Sequence, residues 1–146
     1  MPDASRTRTI AMPIEELWEM ISDPHHLPRW WPRVTRVEDV EDGAFTEVMK
    51  TRKGKLVRAD FKIVACDGAA HSLTWAQLLE GSPFARVLKS AETEVRLQAG
   101  SVQATEVTIE LRQALNGVSR FGGYMVRRAA RATLEEALNG LERIGG

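Results

Sequence analysis

The order of the hydrophobic patterns constrains this chain more than any single motif in it. One strand-like segment and two helical segments precede Pro32, apolar residues then recur at every second position towards Gly117, and one long helical pattern follows. Strands with period two are typical of antiparallel sheets, and an amphipathic helix has to bury its apolar stripe against another element. The order therefore predicts an α+β fold in which a curved antiparallel sheet wraps around the last helix, with a cavity between them.

The segment before Pro32 predicts a first strand at residues 6–11 and two short helices after it. Proline at residue 13 is tolerated in the first helical position, and acidic residues follow it at the positive end of the helix dipole. The apolar face of this helix consists of Ile14, Leu17, Trp18 and Ile21. Asp23 and Pro24 end the first helix, and Asp23 is expected to cap a second, irregular one that stops at Pro32.

The middle of the chain predicts an antiparallel meander. Residues 57–65 alternate apolar and charged side chains, and further strands are expected near residues 70–79, 91–97 and 107–111. Asp67-Gly68 predicts a hairpin between the first two of these strands. The closing helix is expected at residues 118–144, and two of its faces are apolar. One face carries Leu134, Ala137, Leu138 and Leu141, and the other carries Phe121, Met125, Ala129 and Ala132.

Composition excludes several classes of function. Twenty basic and twenty acidic residues give a formal net charge of zero, which argues against sequence-independent binding of nucleic acid. No run is long and apolar enough for a membrane span or a secretory signal, so we expect a cytoplasmic protein that is not membrane-embedded. Cys66 is the single cysteine, and no spacing supports a metal site or a cofactor. The length indicates a single domain over residues 1–146.

The chain resembles the START-like helix-grip (SRPBCC) superfamily, and within it the bacterial proteins of polyketide cyclase/dehydrase type. The residues that carry the resemblance are PIEELWEMISDPHHLPRWWP at 13–32, GSPF at 81–84, the strand pair at 86–115 and RATLEEALNGLERI at 131–144. The resemblance implies a seven-stranded antiparallel sheet that grips the C-terminal helix, with an apolar tunnel between them. It implies no single activity, because superfamily members include lipid and polyketide carriers, aromatase/cyclases, hydrolases and co-chaperones.

Three polar residues are candidates for catalysis in such a cavity. His71 is a candidate acid or base because histidine titrates near neutrality. Lys89 has the parity of the apolar residues of its strand, so it either faces the cavity or is moved into solvent by a β-bulge. Tyr124 stands between arginines at i−4 and i+3, where it either polarises a ligand oxygen or lies on a basic surface.

Tryptophan is the main candidate for the cavity wall. Trp75 either stacks on a ligand or is a plain core residue, and of Trp30 and Trp31 one is expected at the cavity mouth and the other at the sheet edge. The expected ligand-binding residues are Trp31, Phe61, Trp75, Gln77, Thr93, Val95, Val107, Ile109, Phe121, Tyr124 and Met125.

Three functions follow from these residues. The first is binding of a hydrophobic small molecule (polyketide-, lipid- or isoprenoid-like) by a monomer or homodimer. The second is an aromatase/cyclase, which requires His71, Lys89, Gln77 and Tyr124 to converge in the cavity. The third is a co-chaperone-like interaction module, which requires a closed core and an exposed patch.

Overall fold

A computed structural model describes residues 4–117 and 120–145, apart from the side chains of Arg120 and Phe121. The strands are β1 (Ala4–Ile10), β2 (Val34–Glu41), β3 (Ala44–Lys50), β4 (Leu56–Asp67), β5 (Ser72–Leu78), β6 (Leu88–Ser101) and β7 (Ala104–Leu115). The α-helices are α1 (Ile14–Ile21), α2 (Leu27–Trp30) and α3 (Arg120–Gly145), and short 3-10 helices lie at Pro24–His26 and Pro83–Arg86. Residues 118 and 119, where the closing helix was expected to begin, lie outside the described residues.

The seven strands form one antiparallel sheet in the order β1-β7-β6-β5-β4-β3-β2. From β2 to β7 each strand pairs with the next in the chain, which is the predicted meander, while β1 pairs with β7. This arrangement confirms the α+β helix-grip prediction. The two edges of the sheet are therefore consecutive strands, and the segment with α1 and α2 connects them.

The two short helices after β1 are confirmed, with small differences in their ends. Pro13 is the residue before α1, in an extended conformation, and not its first helical residue. Asp23 caps the 3-10 helix as predicted, because its side chain accepts a hydrogen bond from the backbone N–H of His25 at 3.0 Å. Trp31 ends α2 in an extended conformation, which turns the chain towards β2.

One of the two predicted faces of α3 is buried. Its residues Leu134, Ala137, Leu138 and Leu141 are completely buried, and Ala130 extends the same stripe. Met125, Ala129 and Ala132 of the other predicted face are exposed. The helix therefore packs on the sheet through its second half, where bulky apolar residues recur with helical spacing.

The hairpin between β4 and β5 is longer than the Asp67-Gly68 signal predicts. The Asp67 side chain accepts hydrogen bonds from the backbone N–H groups of Ala69 and Ala70, each at 3.1 Å. His71 closes the turn with a φ of 53°, a left-handed conformation, and β5 begins at Ser72. The acid at the end of β4 thus organises a four-residue turn and not the two-residue turn that Asp-Gly usually indicates.

Candidate ligand-binding cavity

A cavity of about 340 Å³ lies between the inner face of the sheet and α3. Its apolar and aromatic lining residues are Trp31, Met49, Phe61, Trp75, Phe84, Leu88, Ala91 and Leu111, and its polar ones are Glu47, Gln77, Thr93, Gln113 and Thr133. Apolar walls with a few polar groups are typical of small-molecule sites, and the volume lies at the small end of their usual range.

The register of the central strands builds one wall of the cavity. Trp75 of β5 pairs with Thr93 of β6, which pairs in turn with Leu111 of β7, so these three side chains form one row across the sheet. Ala91 and Gln113 are the neighbouring pair in the next row. Since side chains two apart on a strand share a face, a run of alternating residues on three strands is sufficient to line this wall.

Two tryptophans meet at the cavity. The rings of Trp31 and Trp75 lie 5.5 Å apart, centre to centre, with 74° between their planes. Trp75 is 3% exposed, so it is at once a core residue and part of the cavity wall. Trp30 is buried in the main core next to α3, and its ring packs edge-on against Trp31.

Glu47 is the least expected residue of the lining. It lies in the middle of β3, opposite Val37 of β2 and Ala59 of β4, and it is only 2% exposed. Its Oε2 has no hydrogen-bond partner among the described residues. Burial raises the pKa of the Glu47 carboxyl to about 8, because an ionised carboxylate is costly away from water.

Sequence reasoning missed Glu47 although a signal for it exists. In β3, Phe45, Glu47 and Met49 share parity, so period two places the acid between two apolar residues on one face. The strand is hard to recognise because Val48, on the opposite face, is also completely buried. An acid inside such an apolar strand is itself the signal of a functional position.

The structure brings together five of the expected ligand-binding residues, and the others lie elsewhere. Trp31, Phe61, Trp75, Gln77 and Thr93 line the cavity. Val95, Val107 and Ile109 have the expected inward parity, but they are completely buried where the helix packs directly on the sheet. Tyr124 and Met125 are 48% and 46% exposed, and the side chain of Phe121 lies outside the described residues.

The exposure of Tyr124 and Met125 follows from the phase of α3. Gly123 is buried and faces Leu115, since a Cβ placed on it would lie 3.8 Å from the Leu115 Cδ1 atom. Each further residue of an α-helix turns by about 100°, so the next two side chains leave the buried face. Among the described side chains of α3, Thr133 is the one that lines the cavity.

His71 and Lys89 lie outside the described lining of the cavity. The Nε2 atom of His71 is 2.6 Å from the Glu15 carboxylate, and its ring packs edge-on against Trp18, so the histidine joins the β4–β5 turn to α1. The register of β6 shifts between Leu88 and Ser90, and Lys89 is exposed. This is the β-bulge alternative, and it places the amine in water.

Two further findings concern metals and membranes. Within residues 4–117 and 120–145, no three His, Cys, Asp or Glu residues lie close enough together to hold a metal ion. No described helix is long and apolar enough to cross a membrane.

A seven-stranded antiparallel sheet that grips a long C-terminal helix is the START-like helix-grip fold. The chain belongs to the family described as polyketide cyclase / dehydrase and lipid transport, whose model matches residues 1–144. A search among curated protein sequences found no match.

Solved structures share the fold at low sequence identity. The di-domain ARO/CYC BexL of the BE-7585A biosynthetic pathway has a TM-score of 0.82 and 18% identity, over 96% of this chain and 45% of that one. The Zhui aromatase/cyclase from Streptomyces sp. R1128 has a TM-score of 0.74 and 18% identity, over 97% and 92% of the two chains. A START superfamily protein from Mycobacterium smegmatis has a TM-score of 0.75 and 16% identity, over 95% and 93%.

Proposed function

We propose that this protein binds a hydrophobic small molecule in the cavity between the sheet and α3. The observation that supports the proposal is the cavity itself, with a volume of about 340 Å³ and a wall made largely of aromatic and aliphatic side chains. Removing apolar surface from water stabilises a complex by about 25 cal/mol per Å², so such a wall supplies most of the affinity. Gln77 and Thr93 add polar groups that orient the ligand.

Tryptophan fluorescence tests this proposal without a label. Trp31 and Trp75 line the cavity, whereas Trp18 packs on His71 outside its described lining. We expect saturable quenching by at least one member of a panel of aromatic polyketides, isoprenoids and fatty acids. The Trp18→Phe variant should keep this response, and Trp75→Phe should lose much of it.

A cavity-filling variant supplies the matched control for binding. Ala91 is 7% exposed, pairs with Gln113 across the sheet and lines the cavity, so Ala91→Phe occupies the space that a ligand needs. We expect it to remain folded and to weaken binding of every ligand that quenches the wild type. A flat response of the wild type across the whole panel would contradict the proposal and would favour a protein partner instead.

Glu47 supports a second candidate function, an aromatase/cyclase that acts in the same cavity. Of the four residues expected to carry that chemistry, only Gln77 lines the cavity. An acid with a pKa of about 8 in an apolar site is suited to protonate the β-hydroxyl group of an aldol product, which leaves as water while the α-carbon loses a proton to water and the C=C bond forms. Mass spectrometry of a poly-β-keto thioester incubated with the wild type and with Glu47→Gln tests it. Equal product from both proteins would exclude this role for Glu47.

A further inference from the structure

We propose that the Glu47 carboxyl group is the polar anchor of the cavity and that, as the neutral acid, it donates a hydrogen bond to a carbonyl oxygen of an uncharged ligand. The inference rests on the proposed binding function and adds to it the chemical class of the ligand. It starts from geometry: Glu47 is 2% exposed, lines the cavity and has an Oε2 atom without a partner among the described residues. A buried polar atom of this kind usually has a partner, and here a ligand in the cavity can supply it.

No described charged group faces this carboxyl from the elements around it. Its cross-strand neighbours are Val37 and Ala59, and its neighbours on the same face of β3 are Phe45 and Met49. The remaining elements contribute to the cavity Trp31, Phe61, Trp75, Gln77, Phe84, Leu88, Ala91, Thr93, Leu111, Gln113 and Thr133, none of which is titratable near neutral pH. The acid therefore has no counter-ion among the described residues of the cavity.

The nearest basic residues of β2 and β4 point away from the cavity. Arg36 and Arg58 both bind Glu38, at 2.8 Å and 3.2 Å. Each of the three is adjacent in its strand to Val37 or Ala59, the residues that pair with Glu47, and so points to the other face of the sheet. Since successive side chains of a strand point to opposite faces, these ions lie on the outer face of the sheet. Neither arginine therefore acts as a partner of Glu47.

The absence of a described counter-ion decides which ligands fit. Burial raises the pKa of Glu47 to about 8, so Glu47 is the neutral acid at neutral pH and has an O–H group to donate. A ketone, quinone or amide oxygen accepts a hydrogen bond from this acid without bringing a charge into the apolar cavity. A ligand carboxylate would bring a second negative group beside Glu47, with no described cation to stabilise it.

Four naphthalenes of nearly the same shape test the assignment. They are 2-acetylnaphthalene (a ketone), 2-ethylnaphthalene (no polar group), 2-naphthoate (an anion) and 2-naphthylmethylamine (a cation), measured by ligand-observed NMR at about pH 6. We expect the ketone to bind about tenfold more tightly than the ethyl compound, the effect of one hydrogen bond to a buried group, and the anion to bind most weakly. A preference for the amine would overturn the assignment, because it would show that Glu47 binds as the carboxylate.

Dependence on pH separates the neutral acid from other polar contacts. Because binding of the ketone requires the proton of Glu47, its affinity should fall about tenfold between about pH 6 and about pH 9, while that of 2-ethylnaphthalene stays constant. In Glu47→Gln the ketone should still bind, since the amide also donates a hydrogen bond, but the pH dependence should vanish. The same slope in the variant would assign it to another group and overturn the proposal.

A second variant keeps the test of Glu47 separate from the test of the cavity. Glu47→Leu has no donor, so the ketone should lose its advantage over 2-ethylnaphthalene, while both compounds still bind. If the ketone keeps its advantage in Glu47→Leu, the anchor is wrong and the cavity stands. If none of the four probes binds the wild type, and none competes with a ligand of the fluorescence panel, the role of Glu47 as anchor is wrong. This conclusion holds even when the fluorescence panel shows that the cavity binds a ligand. If Glu47→Leu does not fold, the pH profile of Glu47→Gln still decides.

Discussion

Glu47 shows how one buried acid couples the stability of the fold to pH. In the unfolded chain a glutamate has a pKa near 4.5, whereas burial raises the pKa of Glu47 in the folded protein to about 8. The folded state thus holds a proton that the unfolded state releases at lower pH. Its contribution to stability is fully present below about pH 4.5 and is lost as the pH rises through about 8.

Glu47→Gln should therefore be more stable than the wild type at alkaline pH. The difference between the two free energies of unfolding should grow between about pH 4.5 and about pH 8, to on the order of 5 kcal/mol. Urea denaturation of both proteins at several pH values measures it. If the free energies of unfolding of the two proteins differ by the same amount at every pH in this range, the buried, unpaired state of the acid is contradicted.

Glu94 provides a control of opposite sign. Its hydrogen bond with Arg112, at 2.9 Å, is the main reason that the pKa of Glu94 lies below its usual value, and the charge of Arg96 adds to the effect. The stability that Glu94 contributes is thus present above its unfolded pKa and lost as the pH falls through its folded pKa. Glu94→Gln should differ from the wild type most at neutral pH and least in acid.

At the scale of elements, the contact between α2 and α3 depends on the absence of a side chain. A Cβ atom at Gly140 of α3 would lie 2.3 Å from the carbonyl oxygen of Trp30 and 2.9 Å from its Cα. Backbone atoms cannot give way as the end of a long side chain does. Glycine at this position lets α2 lie close to the helix and so places Trp31 at the cavity.

Gly140→Ala should destabilise the protein by about 3 kcal/mol, because the added methyl group pushes α2 away from α3. Gly123→Ala is the matched control on the same helix, since a Cβ there would lie 3.6 Å from an Arg127 guanidinium nitrogen and 3.8 Å from Leu115 Cδ1, both ordinary contact distances. It should be neutral or stabilise by up to about 1 kcal/mol through helix propensity. Thermal unfolding of both variants measures the contrast, and equal effects would contradict the close approach of the helices.

Sequence patterns predicted the elements well, and they predicted the inward face of most strands. Phe61 lies between Asp60 and Lys62, which mark the outer face of its strand, and Trp75 was placed by its alternation with Leu73 and Gln77. Val95 and Ile109 show the limit of this reasoning: parity tells which face a residue occupies, but not whether helix α3 or the cavity lies over it. Met125 is exposed for a related reason, because the phase of a helix relative to the sheet depends on tertiary packing, which the sequence pattern does not give.

At the scale of the whole molecule, the link between β1 and β2 determines how the cavity is closed. These strands are the opposite edges of the sheet, and seven strands laid flat would place their edges about 29 Å apart. The connection through α1 and α2 joins both edges. The same connection carries Trp31 across to the cavity.

The two ends of the described chain are held together by charge. On β1, Arg6 and Arg8 bind Glu135 of α3 at 3.0 Å and 2.6 Å, and Arg8 also binds Glu142 at 2.9 Å. Exposed ion pairs contribute little one by one, but two arginines that share one carboxylate form a network. It ties the first strand to the last helix along the side of the grip.

The three neighbouring indoles of Trp30, Trp31 and Trp75 have an optical consequence. Centres 5.3 Å and 5.5 Å apart, with the ring planes steeply inclined, are close enough for their excited states to mix. Mixed excitations of rings that are not parallel give paired bands of opposite sign in circular dichroism. A ligand that moves Trp31 away from Trp75 would weaken this pair of bands. The circular dichroism spectrum of the protein therefore reports, without a label, whether the cavity is occupied.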